Sequence, residues 1–369
     1  MRLVLVTNDF PPRVGGIQNY LWNIYSRLDP SSLAVLAPAH PGDVAFDRTQ
    51  PYEVVRWPGR VYWPTPALAR RVRELARAHR ADAVAFGAVL PMNLIATKLD
   101  VPAVVHTHGF EVAWARLPGM LQTLRRIGRS AALVTVISDY TSRFIERALG
   151  TRAPIQMLRT GVDLERFHPG VDGSEIRKRY GLGGAPVVVC VSRLVRRKGQ
   201  DRIIPAMPFV LKEVPDAVAL IVGGGPYRRR LEEIARYVGV GDRVVFAEEV
   251  REEDLPAAYA AGDVFAMPCR SRWAELEVEG LGLVYLEAQA CGRPAITGDS
   301  GGAPEAVLPG ETGFVVPGHD HRALAARLVE LLSDPPRARA MGEAGRRFVE
   351  SSHRWSDVVA RYQGMLASL

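Results

Sequence analysis

The sequence has few cysteines, very few lysines and no long apolar run. Its three cysteines, Cys190, Cys269 and Cys291, lie far apart and none belongs to a CxxC pair. That excludes a disulfide framework and a cysteine zinc site, and it suits a reducing cytoplasm. No stretch reaches the ~18–20 apolar residues of a membrane-spanning helix. The N-terminal MRLVLVTNDF has the pattern of a short strand rather than of a charged leader, so neither a span nor an export signal is expected. There is no G-x-x-x-x-G-K-[ST] phosphate loop and no clean dinucleotide fingerprint, which disfavours ATP hydrolysis and NAD chemistry. Asp-x-Asp, an arrangement that positions a divalent ion on a nucleotide diphosphate, is also missing. No nucleic-acid-binding module pattern appears. Only Lys98, Lys178, Lys198 and Lys212 are lysines among 47 basic residues, so each lysine stands out against arginine.

What is present is a chain of 369 residues, 47% hydrophobic and 24% charged. That length exceeds one ordinary domain, and the composition is that of a protein with a large core. The net charge of +7 is uneven: residues 1–160 hold 20 Lys and Arg against 11 Asp and Glu, while residues 161–369 hold 27 against 29. The first half therefore either meets an acidic partner or is simply well solvated.

Short β-rich runs alternate with helical patterns, which predicts α/β architecture with parallel sheets. Strands are expected at 2–7, 33–38, 52–57, 83–87, 102–108 and 133–138, with helices at 16–28, 65–80, 91–99, 114–129 and 139–149. The rhythm restarts with strands at 186–192, 218–223, 243–247, 263–268, 294–298 and 313–317. Helices at 320–333, 336–350 and 355–367 close the chain. GVDLERFHPGVDG (161–173) reads as a hinge. The expectation is two doubly wound domains, 1–160 and 161–354, with 355–369 crossing back onto the first.

Four glycine-rich turns follow predicted strands: PPRVGG (11–16), GGGP (223–226), EGLG (279–282) and SGGAPE (300–305). Each is either a structural turn or a place where backbone amides approach a phosphate. SRLVRRKGQD (192–201) places Arg193 and Lys198 five residues apart across a turn, either a fork and a point charge that can share one diphosphate or a solvated basic turn. Arg196 and Arg197 read as surface residues. In EVEGLGLVYLEAQACGRP (277–294), Glu279 lies on a loop and Glu287 on the helix after it, a pair suited to sugar or ribose hydroxyls. A glycosidase acid and nucleophile is the competing chemistry, and a helix-capping Glu279 with a solvated Glu287 is the structural one. VVHTHGFEVAW (104–114) ends a strand with His106, His108 and Glu111. No third ligand has metal-site spacing, so a cleft histidine and a satisfied core histidine remain the alternatives. Arg70, Arg71 and Arg73 crowd one expected helix, and Trp114, Leu117, Leu121, Leu124 and Ile127 fall at helical spacing in another beside Arg125 and Arg126. Core packing explains the stripe, while the arginines suit an anionic membrane surface.

PPRVGGIQNY, THGFE, GVDLERF, SRLVRRKGQD, GGGPY, EGLGLVYLE and SGGAPE, in this order across nearly the whole chain, resemble the family-four retaining glycosyltransferases of GT-B fold. That fold has two Rossmann-like domains facing a central cleft. NDFPPRVGGIQ, HTHGFE, FAMPCRSR and VEGLGLVYLEA resemble more narrowly the GDP-mannose-dependent phosphatidylinositol monomannoside mannosyltransferases. The resemblance implies that Gly15 and Gly16 approach the donor diphosphate, that Arg193 and Lys198 bind it, and that the amides near Gly282 and Leu283 reach it. It implies Glu287 for the ribose, Glu279 for the donor sugar, and His108 for contact with the sugar and assistance in transfer. Asp9, Gln18 and Tyr20 are the acceptor-side candidates, and Glu248 or Glu249 those for the guanine base. Phe110 departs from the pattern where closer relatives carry a second histidine. Implied with this are an inositol-lipid acceptor, an anionic membrane surface, a peripheral place on the inner face of the plasma membrane, and no metal or other cofactor. Alternatives are UDP-glucose or UDP-N-acetylglucosamine as donor, a soluble acceptor, or a non-catalytic protein that binds a nucleotide sugar or anionic lipid. A phosphorylase with pyridoxal phosphate shares the fold but lacks a good Schiff-base lysine here.

Overall fold

Strands covered on both faces read as unbroken apolar runs, and each such run in this chain forms a parallel strand. The computed structural model describes residues 1–59, 61–115, 117, 119–150, 153–248 and 250–369, with the backbone alone for Val112. Two compact units result, Met1–Gly161 with Trp355–Leu369, and Val162–Arg354.

The first unit holds β1 (Leu3–Val6), β2 (Leu33–Pro38), β3 (Glu53–Trp57), β4 (Ala83–Phe86), β5 (Ala103–His106), β6 (Ala131–Val136) and β7 (Ile155–Met157). They form one parallel sheet in the order β3-β2-β1-β4-β5-β6-β7, with Leu3 opposite Leu33 on one side and Ala83 on the other. Side chains alternate along β1: Leu3 and Leu5 join one buried cluster, Val4 and Val6 another. Residues Trp355, Val358, Val359, Tyr362, Met365 and Leu366 of the last helix, Trp355–Ala367, recur at helical spacing and complete the first cluster.

The second unit holds β8 (Val187–Val191), β9 (Val218–Val222), β10 (Val244–Ala247), β11 (Val264–Met267), β12 (Ala295–Thr297) and β13 (Gly313–Val315), ordered β10-β9-β8-β11-β12-β13 and again parallel. Strand order reverses between β1 and β4 in one sheet and between β8 and β11 in the other. Open α/β sheets bind ligands outside the carboxyl ends of strands at such switch points.

Three expectations change. A short, half-buried β7 extends the first sheet, too brief for its pattern to stand out. Residues Met92–Lys98 form a 3-10 rather than an α-helix. The single helix expected over 114–129 is two, Glu111–Ala115 and Met120–Ser130, the second entered through Gly119 at φ +78. Its stripe is therefore not one face: Leu124 and Ile127 are buried, whereas Trp114 is 36% and Leu117 45% exposed.

Gly161 abuts the Trp355 ring so closely that a Cβ would collide with it. Trp355→Ala is expected to destabilise the first unit by about 3–5 kcal/mol through the cavity it opens, measured by urea denaturation. A loss below about 1 kcal/mol would show that the last helix is not part of that core.

Candidate active site

In the second unit the site is built by loops that leave β8, β11 and β12. The chain after β8 turns through Ser192–Lys198 and passes Gly199, which has φ +83 and lies where a Cβ would collide with the Pro268 carbonyl just after β11. That close approach buries Lys198 and brings its Nζ 2.8 Å from Glu279 Oε2. Arg197 donates to the same oxygen. Arg197 is thus not the surface residue expected; its side chain is mostly buried because a charged partner from another loop reaches it. Arg196, by contrast, is exposed over Tyr227.

The turn is held from behind. Arg270 donates from its backbone to Arg197 O at 2.9 Å, and its guanidinium grips Asp201 through two bonds of 2.8 and 2.7 Å. Glu279 is held by its backbone: its N–H donates to Ser300 Oγ at 3.1 Å, and its carbonyl accepts from Gly302 N–H at 3.0 Å. Gly301, at φ +57, has room for no Cβ against Glu279. The SGGAPE turn therefore clamps the Glu279 backbone, and the GGGP turn clamps Leu194, whose N–H donates to Gly224 O at 2.8 Å. In both turns the glycines serve close packing of backbones.

Burial pushes the Glu279 carboxyl up, but attraction to Lys198 and then Arg197, with their hydrogen bonds, outweighs it and brings the carboxyl to about 2. Both cations meet Oε2, and Oε1 takes no hydrogen bond among the described residues. Glu279 caps no helix. Gly282, at φ +92, opens the helix Leu283–Ala290. Glu287 is buried on that helix rather than solvated, accepts from Tyr259 Oη at 2.6 Å, and is pushed up to about 7 by burial. Arg193 is exposed and has no ion-pair partner among the described residues. Glu248 is exposed directly after β10, the edge strand; Glu249 lies outside the described residues.

In the first unit His108 follows β5 by two residues and is buried. Its Nε2 lies 2.6 Å from Gly87 O, and since a carbonyl only accepts, Nε2 carries the proton. The ring is neutral, lowered to about 4 by burial and only partly raised by the Gly87 bond, so Nδ1 is an acceptor. A ligand reaching this ring would therefore meet Nδ1 as an acceptor and not as a donor. Glu111 accepts from the N–H groups of His108 and Gly109 and sits at about 7, raised by burial. His106 is the satisfied core histidine, between Tyr25 Oη at 2.8 Å and Thr135 Oγ1 at 2.7 Å.

Asp9 accepts from Gln18 Nε2 at 2.7 Å, and burial raises its carboxyl despite Arg13. Gly15 precedes the helix that begins at Gly16, and a Cβ on Gly15 would collide with Gln18, whereas Gly16 is open. Tyr20 is corrected: it is buried, donates to Leu158 O at 2.9 Å, and packs edge-on against His108, so its hydroxyl is committed inside the unit. On the helix Pro66–Ala78, Arg70 is exposed, Arg71 lies 3.7 Å from Glu74, and Arg73 donates to Lys98 O. Arg125 and Arg126 are exposed on Met120–Ser130.

Sequence reasoning passed over Arg197, Asp201, Arg270 and Tyr259. Two adjacent cations at 197 and 198 beside a lone buried-strand turn were the available signal for the first. The others act as partners and carry no motif of their own.

Residues 14–166 match the profile described as Glycosyltransferase Family 4, and residues 172–348 that of Glycosyl transferases group 1. A Mycolicibacterium smegmatis protein named GDP-mannose-dependent alpha-(1-6)-phosphatidylinositol monomannoside mannosyltransferase is 46% identical over 99% of this chain and 98% of its own. A Corynebacterium glutamicum protein, named as the mannosyltransferase of the monoacylated form of that lipid, is 46% identical over 100% and 98%. Among solved structures, HepE of Anabaena superposes with TM-score 0.85 at 21% identity over the whole of both chains. A sucrose-phosphate synthase from Thermosynechococcus elongatus does so with 0.81 at 22%.

The two carboxylates are expected to titrate in opposite senses. Glu279 is depressed when folded, so the stability it contributes is complete above about 4.5 and is lost as pH falls toward about 2. The stability gap between wild type and Glu279→Gln should close over that interval. Glu287 is raised, so wild type should lose stability relative to Glu287→Gln as pH rises from about 4.5 through about 7. Parallel pH profiles for wild type and both variants would refute the assignments.

Proposed function

This chain belongs to the family-four glycosyltransferases of GT-B fold, and we propose that it transfers α-mannose from GDP-mannose to a phosphatidylinositol mannoside-type lipid with retention of configuration. The observation that carries the reading is 46% identity over 99% of the chain to relatives named for that donor and acceptor. The chemistry of the second unit supports it. Lys198 brings a buried positive charge to the carboxyl ends of β8 and β11, and Arg193 adds an exposed one. Together they suit a diphosphate that gains charge as it leaves. Glu279, ionised with Oε1 open, accepts from hydroxyls of the donor sugar, and Glu287 accepts from the ribose.

Retention is read as front-face attack, with the departing phosphate taking the acceptor proton. The protein then needs to supply charge stabilisation and positioning rather than a nucleophile, and no metal or other cofactor. In the first unit, His108 offers an acceptor atom to a sugar hydroxyl, and Asp9 with Gln18 offers polar contacts to the acceptor headgroup. Exposed Arg70, Arg125, Arg126 and Trp114, with half-buried Arg73, suit peripheral attachment to anionic lipid at the cytoplasmic membrane face. No described helix is long and apolar enough to cross a membrane.

Calorimetric titration with GDP-mannose, GDP, UDP-glucose and UDP-N-acetylglucosamine in EDTA should give binding for the GDP ligands alone. Preference for a UDP ligand would overturn the donor, and loss of binding in EDTA would overturn the metal-free reading. With vesicles carrying phosphatidylinositol monomannoside, Lys198→Ala should lower kcat by about 10²–10³, and the product should carry an α-linked mannose by NMR.

A further inference from the structure

Between β11 and the helix Leu283–Ala290 the chain makes a hairpin whose tip is in an unusual conformation. Trp273, Ala274 and Glu275 have φ of 49, 51 and 67, three consecutive left-handed residues of which none is glycine. L-residues adopt that region at a cost, and they hold it where the surroundings over-determine it. The chain has 34 glycines yet places none between Pro268 and Glu279.

The base of the hairpin is tied three times. Arg272 and Glu277 exchange backbone hydrogen bonds of 3.0 and 3.2 Å, and the Arg272 guanidinium donates to Glu277 Oε2 at 3.0 Å. Ser300 then joins both arms to the site, with its Oγ 3.1 Å from Ser271 Oγ and 3.1 Å from Glu279 N. Leu276 N–H closes the tip onto Trp273 O at 3.2 Å. What this fixed loop presents is an indole 64% exposed, with the Arg272 guanidinium 4.4 Å from its ring centre.

We propose that the hairpin is a sugar-recognition element in which Trp273 is a stacking platform for a hexopyranose ring of the substrates. The inference rests on the glycosyl-transfer reading above. An indole has an apolar face that matches the C–H face of a pyranose, and a two-angle side chain on a fixed loop loses little freedom on binding. Arg272 is committed to Glu277 while it lies over the indole, so the tip presents a ring beside a compensated charge rather than a free cation for an anionic lipid surface. The platform lies on the segment that carries Glu279, which accepts from a sugar in that reading.

The test uses the full-length enzyme with Trp273→Ala and Trp273→Phe, checked for unchanged melting because the ring is exposed. GDP affinity should stay within twofold of wild type in both variants. Trp273→Ala should weaken either GDP-mannose affinity or the acceptor KM by roughly five- to tenfold, with Trp273→Phe restoring most of it. Loss at the donor marks the donor's ring, and loss at the acceptor marks the acceptor's. Wild-type turnover with both quantities unchanged in Trp273→Ala overturns the hairpin's role alone. Weakened sedimentation with anionic vesicles that lack acceptor, as the sole change, makes the tip a lipid contact and also overturns it. A wild type that binds no nucleotide sugar overturns both readings.

Discussion

Two cations converge on one carboxylate oxygen in the interior of the second unit, and the loops around them are arranged to make that possible. A buried lysine or glutamate alone would lose several kcal/mol of hydration. Lys198, Arg197 and Glu279 share the burden because each arrives from a loop held by something else. Gly199 lets the β8 turn touch the chain after β11, Arg270 and Asp201 fix that turn from behind, and Ser300 and Gly302 fix Glu279. The cluster has one net positive charge, which leaves it able to attract an anion while its glutamate stays ionised. An isolated Lys–Glu pair would be neutral and would offer a diphosphate much less.

Environment assigns different work to groups of the same type. Glu279 and Glu287 are eight positions apart and both buried, yet one is held near 2 by two cations and the other is raised to about 7 beside a tyrosine hydroxyl. The first is a fixed anion, while the second changes charge near neutrality. The two histidines of His-x-His also part company. His106 spends both ring nitrogens on Tyr25 and Thr135 inside the sheet's cover, whereas His108, among the described residues, spends only Nε2 and keeps Nδ1 as an acceptor. A strand's alternation puts them at the same face, and the end of β5 at His106 separates their surroundings.

The fold was legible because strands buried on both faces need unbroken apolar runs, and VVVCV or LAVLAP satisfies no other common element as well. The Glu279 and Glu287 pair was legible for a similar reason: a glycine turn between two acids puts one on a loop and one on a helix. Arg197 was not legible, since whether an arginine is solvated or paired depends on which carboxylate a distant loop delivers. Tyr20 misled in the opposite way. Its motif places it near polar residues, but the helix Gly16–Tyr25 turns it into the cluster completed by Trp355, which lies 335 positions further on. The glycine turns were legible as turns only. Periodicity says nothing of whether the atom approaching a glycine is a phosphate oxygen or, as at Gly301, another stretch of backbone.

The strain in the loop after β11 has a physical consequence for how this site can vary. Three residues in the left-handed region cost about 1–3 kcal/mol each, a large share of the ~5–15 kcal/mol by which a domain is stable. Such a loop persists only while its base is tied, and the tie includes Ser300, the same hydroxyl that receives the Glu279 amide. The tip and the ionised carboxylate therefore share an anchor. A change at Ser300 alters both, whereas the tip residues can change among themselves without disturbing Glu279. Recognition by the tip can thus diverge while the charged cluster beneath it is retained, because the shared hydroxyl transmits position and not the identity of the side chains above it.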